Sequence, residues 1–556
     1  MKLNNSLRYL SNSNFQKFLI FTFFISFFAI GLYIYRDYGM SNDEPFQRSV
    51  GYYWLIRILE IFSSDPEIIF EIKKKFQAMY WSNFLNEGNL IQYGILFDTF
   101  AAIFEELLNI SNNREAFLFK HLLTFCFFFL SSIFFYKIIF ERFENKFFSI
   151  VITSFYISSP RLFAESFYNC KDIIFMAFCV YSLYFVLRSF DNLNYKNIFL
   201  FSIFSAFATN IRIMGIIIFL LFLVFFLFDC LEEKKFFRTN IPKFIFLIFS
   251  FCTLLYIFWP FLWEAPFENF LFTIKSFANF NWSGNGILYL GEFYKANNLP
   301  WHYIPVWILA TSPIILILFF LVGFFSTGTY FFNNFLNLSS KNKLWNGSKQ
   351  KKDFFVFFFF LIPIFSVIFF NSTLYGGWRH LYFIYPCLIY LSGIGIMFFL
   401  QNKFFLKYKN VVFVFIFLLL LNNIYNLKRL HPFQNIYFNS LFEKKANQLF
   451  EVDYWGLGNM NALNFLIKER YKGEKIEVKI SSYTPLIYSK LILKDEHKNK
   501  LASMITTDKK QKFIFTNYVF ERNPNYEKKY SVPNNYDKIY TLKKGNVIIN
   551  EIFEKR

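Results

Sequence analysis

Long apolar runs recur along this chain every few tens of residues, and nothing else in the sequence limits its fold as strongly. The first reads FLIFTFFISFFAIGLYIY over residues 18–35 and carries no charge. As a helix rising about 1.5 Å per residue, such a run nearly spans the roughly 30 Å hydrocarbon layer of a bilayer. Ten further runs follow at 116–140, 147–159, 173–190, 198–208, 211–228, 244–262, 303–325, 354–370, 381–400 and 411–425. A polytopic α-helical membrane protein with about eleven transmembrane helices is expected, in which 147–159, 198–208 and 411–425 must draw on their flanks to cross. Arg36 and Asp37 follow the first run at once, with no small-residue cleavage site, so it reads as a retained helix rather than a leader. The 90 Phe of the chain fall largely in these blocks, where Phe serves as Leu would, and they imply lipid contact rather than ligand chemistry.

Charge sorts the loops. With the N-terminus cytoplasmic, the connections at 141–146, 188–196, 230–243, 326–352 and 401–409 lie inside and hold Arg142, Lys146, Lys234, Lys235, Arg238, Lys351, Lys352, Lys403 and Lys407. That bias, with a lysine-rich C-terminal segment, accounts for the net charge of +20 and leaves no need for a nucleic-acid partner. Two domains are expected: a transmembrane domain over 1–427, with a long first external loop at 36–115, and an extracytoplasmic α/β domain over 428–556. In the latter, 459–471 reads as a helix, while 475–480, 513–516 and 546–553 read as strands. Cys126, Cys170, Cys179, Cys230, Cys252 and Cys387 show neither a disulfide framework nor metal-ligand spacing, and no Gly-rich phosphate loop occurs.

Every chemically rich polar segment falls on the external side. These are NDEPFQR (42–48), SPRLFAESFYNCKD (159–172), TNIRIMG (209–215), WPFLWEAPFENF (259–270), LPWHYIPVW (299–307) and YGGWRHLYFIYP (375–386). Arg161, Lys171, Arg212, Arg379 and His380 stand at or just beyond helix ends on one face, where cationic donors suit a lipid-linked phosphate. Isolated arginines at a membrane boundary often only snorkel, but Arg212 lies between two apolar runs, where a charge is costly without a cavity or partner. Asp43 and Glu44 supply a carboxylate to take an acceptor proton while cations stabilise a leaving phosphate. The plain alternative is that Asp43 caps the helix begun by Pro45.

Glu165, Asn169 and Asp172 belong to the same set of external polar segments, the two acids facing a choice between substrate and pairing with Arg161 and Lys171. Trp263, Glu264, Trp301 and His302 are pocket candidates, although Trp259, Trp263, Trp282 and the group around His302 equally fit an interfacial aromatic belt. Asp43, Glu44, Glu165, Asp172 and Glu264 offer oxygen ligands, but no spacing selects a hard cation; no metal or other cofactor is expected.

The Asp43–Glu44 pair in a long first external loop, the helix number, the polar 159–172 loop and the C-terminal domain resemble the membrane-embedded C-type glycosyltransferases. Within these, the chain is similar to the protein O-mannosyltransferase and aminoarabinose transferase group over most of residues 1–425. SPRLFAESFYNCKD, YGGWRHLYF and LPWHY resemble its bacterial dolichyl-phosphate-mannose-mannosyltransferase-like subgroup, departing from that pattern at Cys170, where it has proline, and at Gly376, where it has aspartate. The resemblance implies the C-type glycosyltransferase fold, a polyprenyl-phosphate sugar donor, a first-loop carboxylate as the catalytic group at Asp43 or Glu44, and phosphate contacts from Arg161, Lys171, Arg212, Arg379 and His380. An integral protein of the bacterial inner (plasma) membrane is expected, with an extracytoplasmic active face, acting on a glycan, lipid or protein acceptor; the odd span count puts the C-terminus on that same side, and attack by the acceptor hydroxyl in one displacement would invert the anomeric carbon. The rival class is a polytopic transporter or flippase of lipid-linked sugars, against which stand the absence of an internal repeat and the gathering of charge at one face.

Overall fold

The computed structural model describes residues 13–278, 280, 286–338, 343–502, 511–519 and 530–556. Trp282 lies outside them. The chain is a polytopic, mainly helical membrane protein, and among the described residues nine helices are long and apolar enough to cross a bilayer. They are α1 (Ser13–Ile34), α5 (Asn113–Phe143), α8 (Asp172–Asp191), α10 (Ile216–Glu232) continued from the turn at Ile213–Gly215, α11 (Lys234–Phe258), α13 (Ile314–Leu336), α14 (Ser348–Phe369), α15 (Tyr385–Gln401) continued from the turn at Arg379–Ile384, and α16 (Lys409–Leu430). The remaining two expected spans take other forms. Residues 147–159 become α6 (Lys146–Ile157), joined to α7 (Pro160–Tyr168) by a 66° bend, because Pro160 starts a new helix at its own first turn. Residues 198–208 become α9 (Tyr195–Ile211), whose 17 residues reach only about 25 Å.

α8 is the axis of the bundle. Its sequence, DIIFMAFCVYSLYFVLRSFD, is apolar on every face, as a helix surrounded by other helices must be, and 89% of its apolar window is buried, against 11% for the lipid-facing α1. Phenylalanines fill the gaps around it, for example Phe185 stacked on Phe204 of α9 at 5.6 Å. α13 and α15 approach backbone to backbone, since a Cβ on Gly395 would stand 3.0 Å from the Gly323 nitrogen.

The long loop at 36–115 is helical: α2 (Glu44–Phe62), α3 (Pro66–Gln77) and α4 (Leu96–Leu107) lie across one end of the bundle. Between α11 and α12 (Tyr303–Thr311) sits a small antiparallel pair, β1 (Ile287–Tyr289) and β2 (Glu292–Tyr294). The C-terminal segment holds α17 (Asn459–Glu469) and a four-stranded sheet of β3 (Val478–Ile480), β4 (Phe513–Thr516), β5 (Tyr536–Lys544) and β6 (Val547–Lys555), in the order β3-β4-β6-β5. β3 and β4 are parallel, and β5 and β6 form a hairpin. Its small core, including Leu463, Leu466, Val478, Phe515 and Ile552, is separate from that of the bundle. Sequence periodicity misses β5, whose faces are mostly exposed and carry lysine.

Charged layers mark the two ends of the bundle, and the 31-residue α5, about 45 Å long, runs from one to the other. At its C-terminal end, Arg142 donates to both oxygens of Asp353 at 2.7 Å, and the Tyr390 hydroxyl donates to the same carboxylate. Lys351 pairs there with Asp229, and Lys352 with Asp191. These are the basic groups assigned to inner loops, each fixed by an acid of a neighbouring helix.

Candidate functional site

At the opposite end, three breaks in helical structure deliver polar side chains to one place. The first lies ahead of α2, where Asp43 occupies the N-cap position but makes no capping hydrogen bond. Its Oδ2 instead accepts from Arg379 Nη1 at 2.7 Å. Glu44 turns the other way and is fully buried; its Oε2 accepts from the Ser41 backbone N–H at 2.6 Å, and its Oε1 stands 2.9 Å from His121 Nε2 without hydrogen-bond alignment. The two adjacent acids are therefore in different environments, Asp43 at 31% side-chain exposure and Glu44 sealed below it.

The second break joins α7 to α8. Asp172 opens α8, its backbone N–H donating to Asn169 Oδ1 at 2.9 Å, while Asn169 Nδ2 donates to Asp172 at 3.1 Å and to Glu165 at 2.8 Å. Glu165 also accepts from the Tyr382 hydroxyl at 2.7 Å. Asp172 pairs with Arg212 and stands 3.5 Å from Arg379 Nη1, so it bridges two guanidinium groups rather than pairing with Lys171. Lys171 turns toward Tyr93, its ammonium 4.1 Å from the ring centroid, donates to the Gly94 carbonyl, and lies 4.0 Å from Asp98. Burial pushes that ammonium down to about 8, against the opposing pull of Asp98.

The third break separates α9 from α10. Arg212 is extended there (φ −143°, ψ 130°), which lets a charge flanked by apolar helices point into the cluster. Asn210 fastens the break: its Oδ1 accepts the backbone N–H groups of Ile95 and Leu96 that begin α4, and its Nδ2 donates to Phe258 at the end of α11. Arg379 arrives from a turn whose Gly376 and Gly377 both have positive φ, 66° and 73°. A Cβ on Gly376 would stand 2.9 Å from Tyr454 Cδ1, so glycine at this position admits that ring.

Tyr375, Tyr454 and Trp455 enclose the Arg379 guanidinium at 4.8, 5.1 and 4.7 Å from their ring centroids. The last two come from the C-terminal segment, which is clasped to the first loop by Asn42 N–H to the Trp455 carbonyl (3.2 Å) and Asn42 Nδ2 to the Tyr454 carbonyl (2.9 Å). Beside them, burial pushes the Asp453 carboxyl up to about 6 against hydrogen bonds from Gly458 and Leu457 N–H.

The structure thus brings together Asp43, Arg379, Asp172, Arg212, Asn169 and Glu165, with Glu44 and Lys171 adjoining. His380 is buried edge-on to Tyr375 at 4.8 Å. Arg161 is buried between Trp307 and Phe438, at 5.4 and 5.5 Å, and its charge acts on Glu165. Among the described residues, the other pocket candidates make no hydrogen bond or ion pair to that cluster. Trp301 is 69% exposed, His302 Nδ1 bonds the Tyr289 hydroxyl at 2.6 Å, Trp263 donates to the Tyr256 carbonyl, and Glu264 faces solvent.

Lys120, His121 and Asp98, which sequence reading passed over, are all buried here, with Lys120 donating to Asp98 at 2.8 Å. Two ionisable residues inside the apolar 113–143 helix were the available signal. The nearby acids are each engaged by a cation, a backbone N–H or an imidazole, and among the described residues no three metal-ligating side chains converge.

No protein-family model matches the chain, and no curated protein matches it. Among solved structures, it is similar to the crystal structure of ArnT from Cupriavidus metallidurans bound to undecaprenyl phosphate, with a TM-score of 0.42 and 9% identity over 95% of this chain and 97% of that one. A likeness at that level says nothing of the chemistry of this chain.

Proposed function

We propose that this chain is a membrane glycosyltransferase that moves a sugar from a polyprenyl-phosphate-linked donor to an acceptor on the extracytoplasmic face, with its N-terminus cytoplasmic. The observation that carries the reading is the Asp43–Arg379–Asp172–Arg212 chain: a partly exposed carboxylate 2.7 Å from a guanidinium, with a second guanidinium beyond, at one end of a membrane bundle. Arg212 and Arg379 meet the donor phosphate and stabilise the charge that grows as it leaves. Asp43 takes the proton of an acceptor hydroxyl. The acceptor oxygen bonds to the anomeric carbon as that carbon's bond to the phosphate oxygen breaks, so the electron pair departs with the polyprenyl phosphate and the configuration inverts. Glu44, closed off from solvent, holds the turn that aims Asp43. Residues 428–556 act as a second domain that roofs the site through Tyr454 and Trp455.

The test is a comparison of envelope glycans and lipids by mass spectrometry with and without the protein, followed by transfer assays in proteoliposomes with the donor so named. Asp43→Asn should lower transfer by about 10²–10⁴-fold while leaving a folded protein. Retention of the anomeric configuration would remove the single-displacement step. Lipid-linked sugar transport that survives both Asp43→Asn and Glu44→Gln would replace the enzyme reading with that of a transporter.

A further inference from the structure

We infer that the Asp43–Arg379 pair is a mask, opened when the donor's phosphate displaces Asp43 from the guanidinium. The inference rests on the glycosyltransferase reading and deepens it. Charge balance supplies the first step. Lys120, Lys171, Arg212 and Arg379 face Asp43, Glu44, Asp98 and Asp172, and each of these cations already stands within 4.0 Å of a carboxylate. A phosphate entering this cluster therefore competes with a carboxylate for each of these cations.

Exposure and bonding single out which acid yields. Asp172 and Asp98 have side chains 1% and 2% exposed, and Asp172 is further tied by Asn169 and Arg212. Asp43 is 31% exposed, leaves its cap position unused, and among the described residues is held by a single ion pair, to Arg379. Arg379 cannot follow it outward, because Tyr375, Tyr454 and Trp455 surround the guanidinium. An arriving phosphate thus gains a fixed guanidinium while the carboxylate swings to the side open to solvent. Freed of that ion pair, the carboxylate is available as a base only once a donor is seated. Without a donor, the base stays neutralised and the leaving-group site stays closed.

The experiment measures binding of a radiolabelled long-chain polyprenyl phosphate to the full-length protein in nanodiscs. Asp43→Asn removes the competitor for Arg379, and the expected result is binding about ten- to a hundredfold tighter than wild type, although the variant's transfer is strongly reduced. Equal or weaker binding by the variant, with wild type binding normally, overturns the mask and leaves the glycosyltransferase reading standing. Binding by neither protein overturns both. A measurement on wild type alone guards against a variant that does not fold: labelling of Asp43 by a water-soluble carbodiimide, mapped by mass spectrometry, rises several-fold when the lipid phosphate binds. Unchanged or reduced labelling overturns the inference. The same rise with inorganic phosphate at equal concentration supports the mask but assigns the exchange to free phosphate rather than to a lipid headgroup.

Discussion

Glu451 is a buried acid whose charge the fold opposes, which makes stability depend on pH in a direction the structure sets. It is 5% exposed, its Oε2 has no hydrogen-bond partner, and burial pushes its carboxyl from 4.5 up to about 8. The folded state therefore holds a proton that the unfolded chain has released between pH 4.5 and about 8, and the corresponding stability, fully present below pH 4.5, is lost as pH rises through that window. At 1.36 kcal/mol per pK unit, the shift from 4.5 to about 8 corresponds to about 5 kcal/mol, of which about 2–3 kcal/mol is lost between pH 5 and pH 7. Glu451→Gln keeps the shape and removes the titration. Unfolding of the purified full-length protein, followed by intrinsic fluorescence at pH 5, 7 and 8.5, should show the variant nearly level with wild type at pH 5 and more stable by about 2–4 kcal/mol at pH 8.5. A variant with the same pH slope as wild type, or one less stable at pH 8.5, would refute the reasoning.

Asp98→Leu leaves Lys120 and Lys171 buried against one another's charge and should cost about 3–5 kcal/mol, seen as loss of a monodisperse peak in gel filtration. At the other end of the bundle, Asp353→Ala strips the acceptor from Arg142 and from the buried Tyr390 hydroxyl; with the Arg142–Asp353 pair partly exposed, the expected loss is about 2–4 kcal/mol in a denaturant titration. Gly376→Asp places a side chain at φ 66° against the Tyr454 ring, costing about 1 kcal/mol in backbone strain and opening the enclosure of Arg379, readable as a shift in tryptophan emission.

Much of this arrangement is legible in the sequence, and the reasons differ by residue. The apolar runs announce themselves because a bilayer demands length and apolarity together, and Arg212 stands out because a lone charge between two such runs needs a partner. The partner itself is not legible. Asp172 reads as the neighbour of Lys171, yet the turn at Asn169 directs it to Arg212 and Arg379 while Lys171 faces Asp98, 73 positions earlier in the chain. Lys120 and His121 are hidden by the apolar weight of the 31-residue helix around them. Aromatic residues are ambiguous for a physical reason: a tryptophan near a helix end, such as Trp263 or Trp301, suits a membrane interface as well as a sugar, and the sequence does not tell the two apart.

The two charged ends of the bundle differ in a way that separates fastening from chemistry. Where Arg142, Lys351 and Lys352 sit, each cation has its own acid, and among the described residues none of these groups is left with a buried unpartnered atom. Such pairs cost desolvation and return it through alignment, which suits a joint between helices. Where Asp43 and Arg379 sit, one carboxylate serves two arginines, and Nε of Arg379, Nε of Arg212, Nδ1 of His380 and the Tyr168 hydroxyl are buried without partners. Buried polar groups are seldom left unsatisfied, because each such group costs about 1–3 kcal/mol. A fold that needed this end only for stability would shed those groups or pair them. Their gathering around the Asp43–Arg379 ion-pair chain, covered by aromatic rings from a separate segment, supports the proposed reading of this end as the donor site.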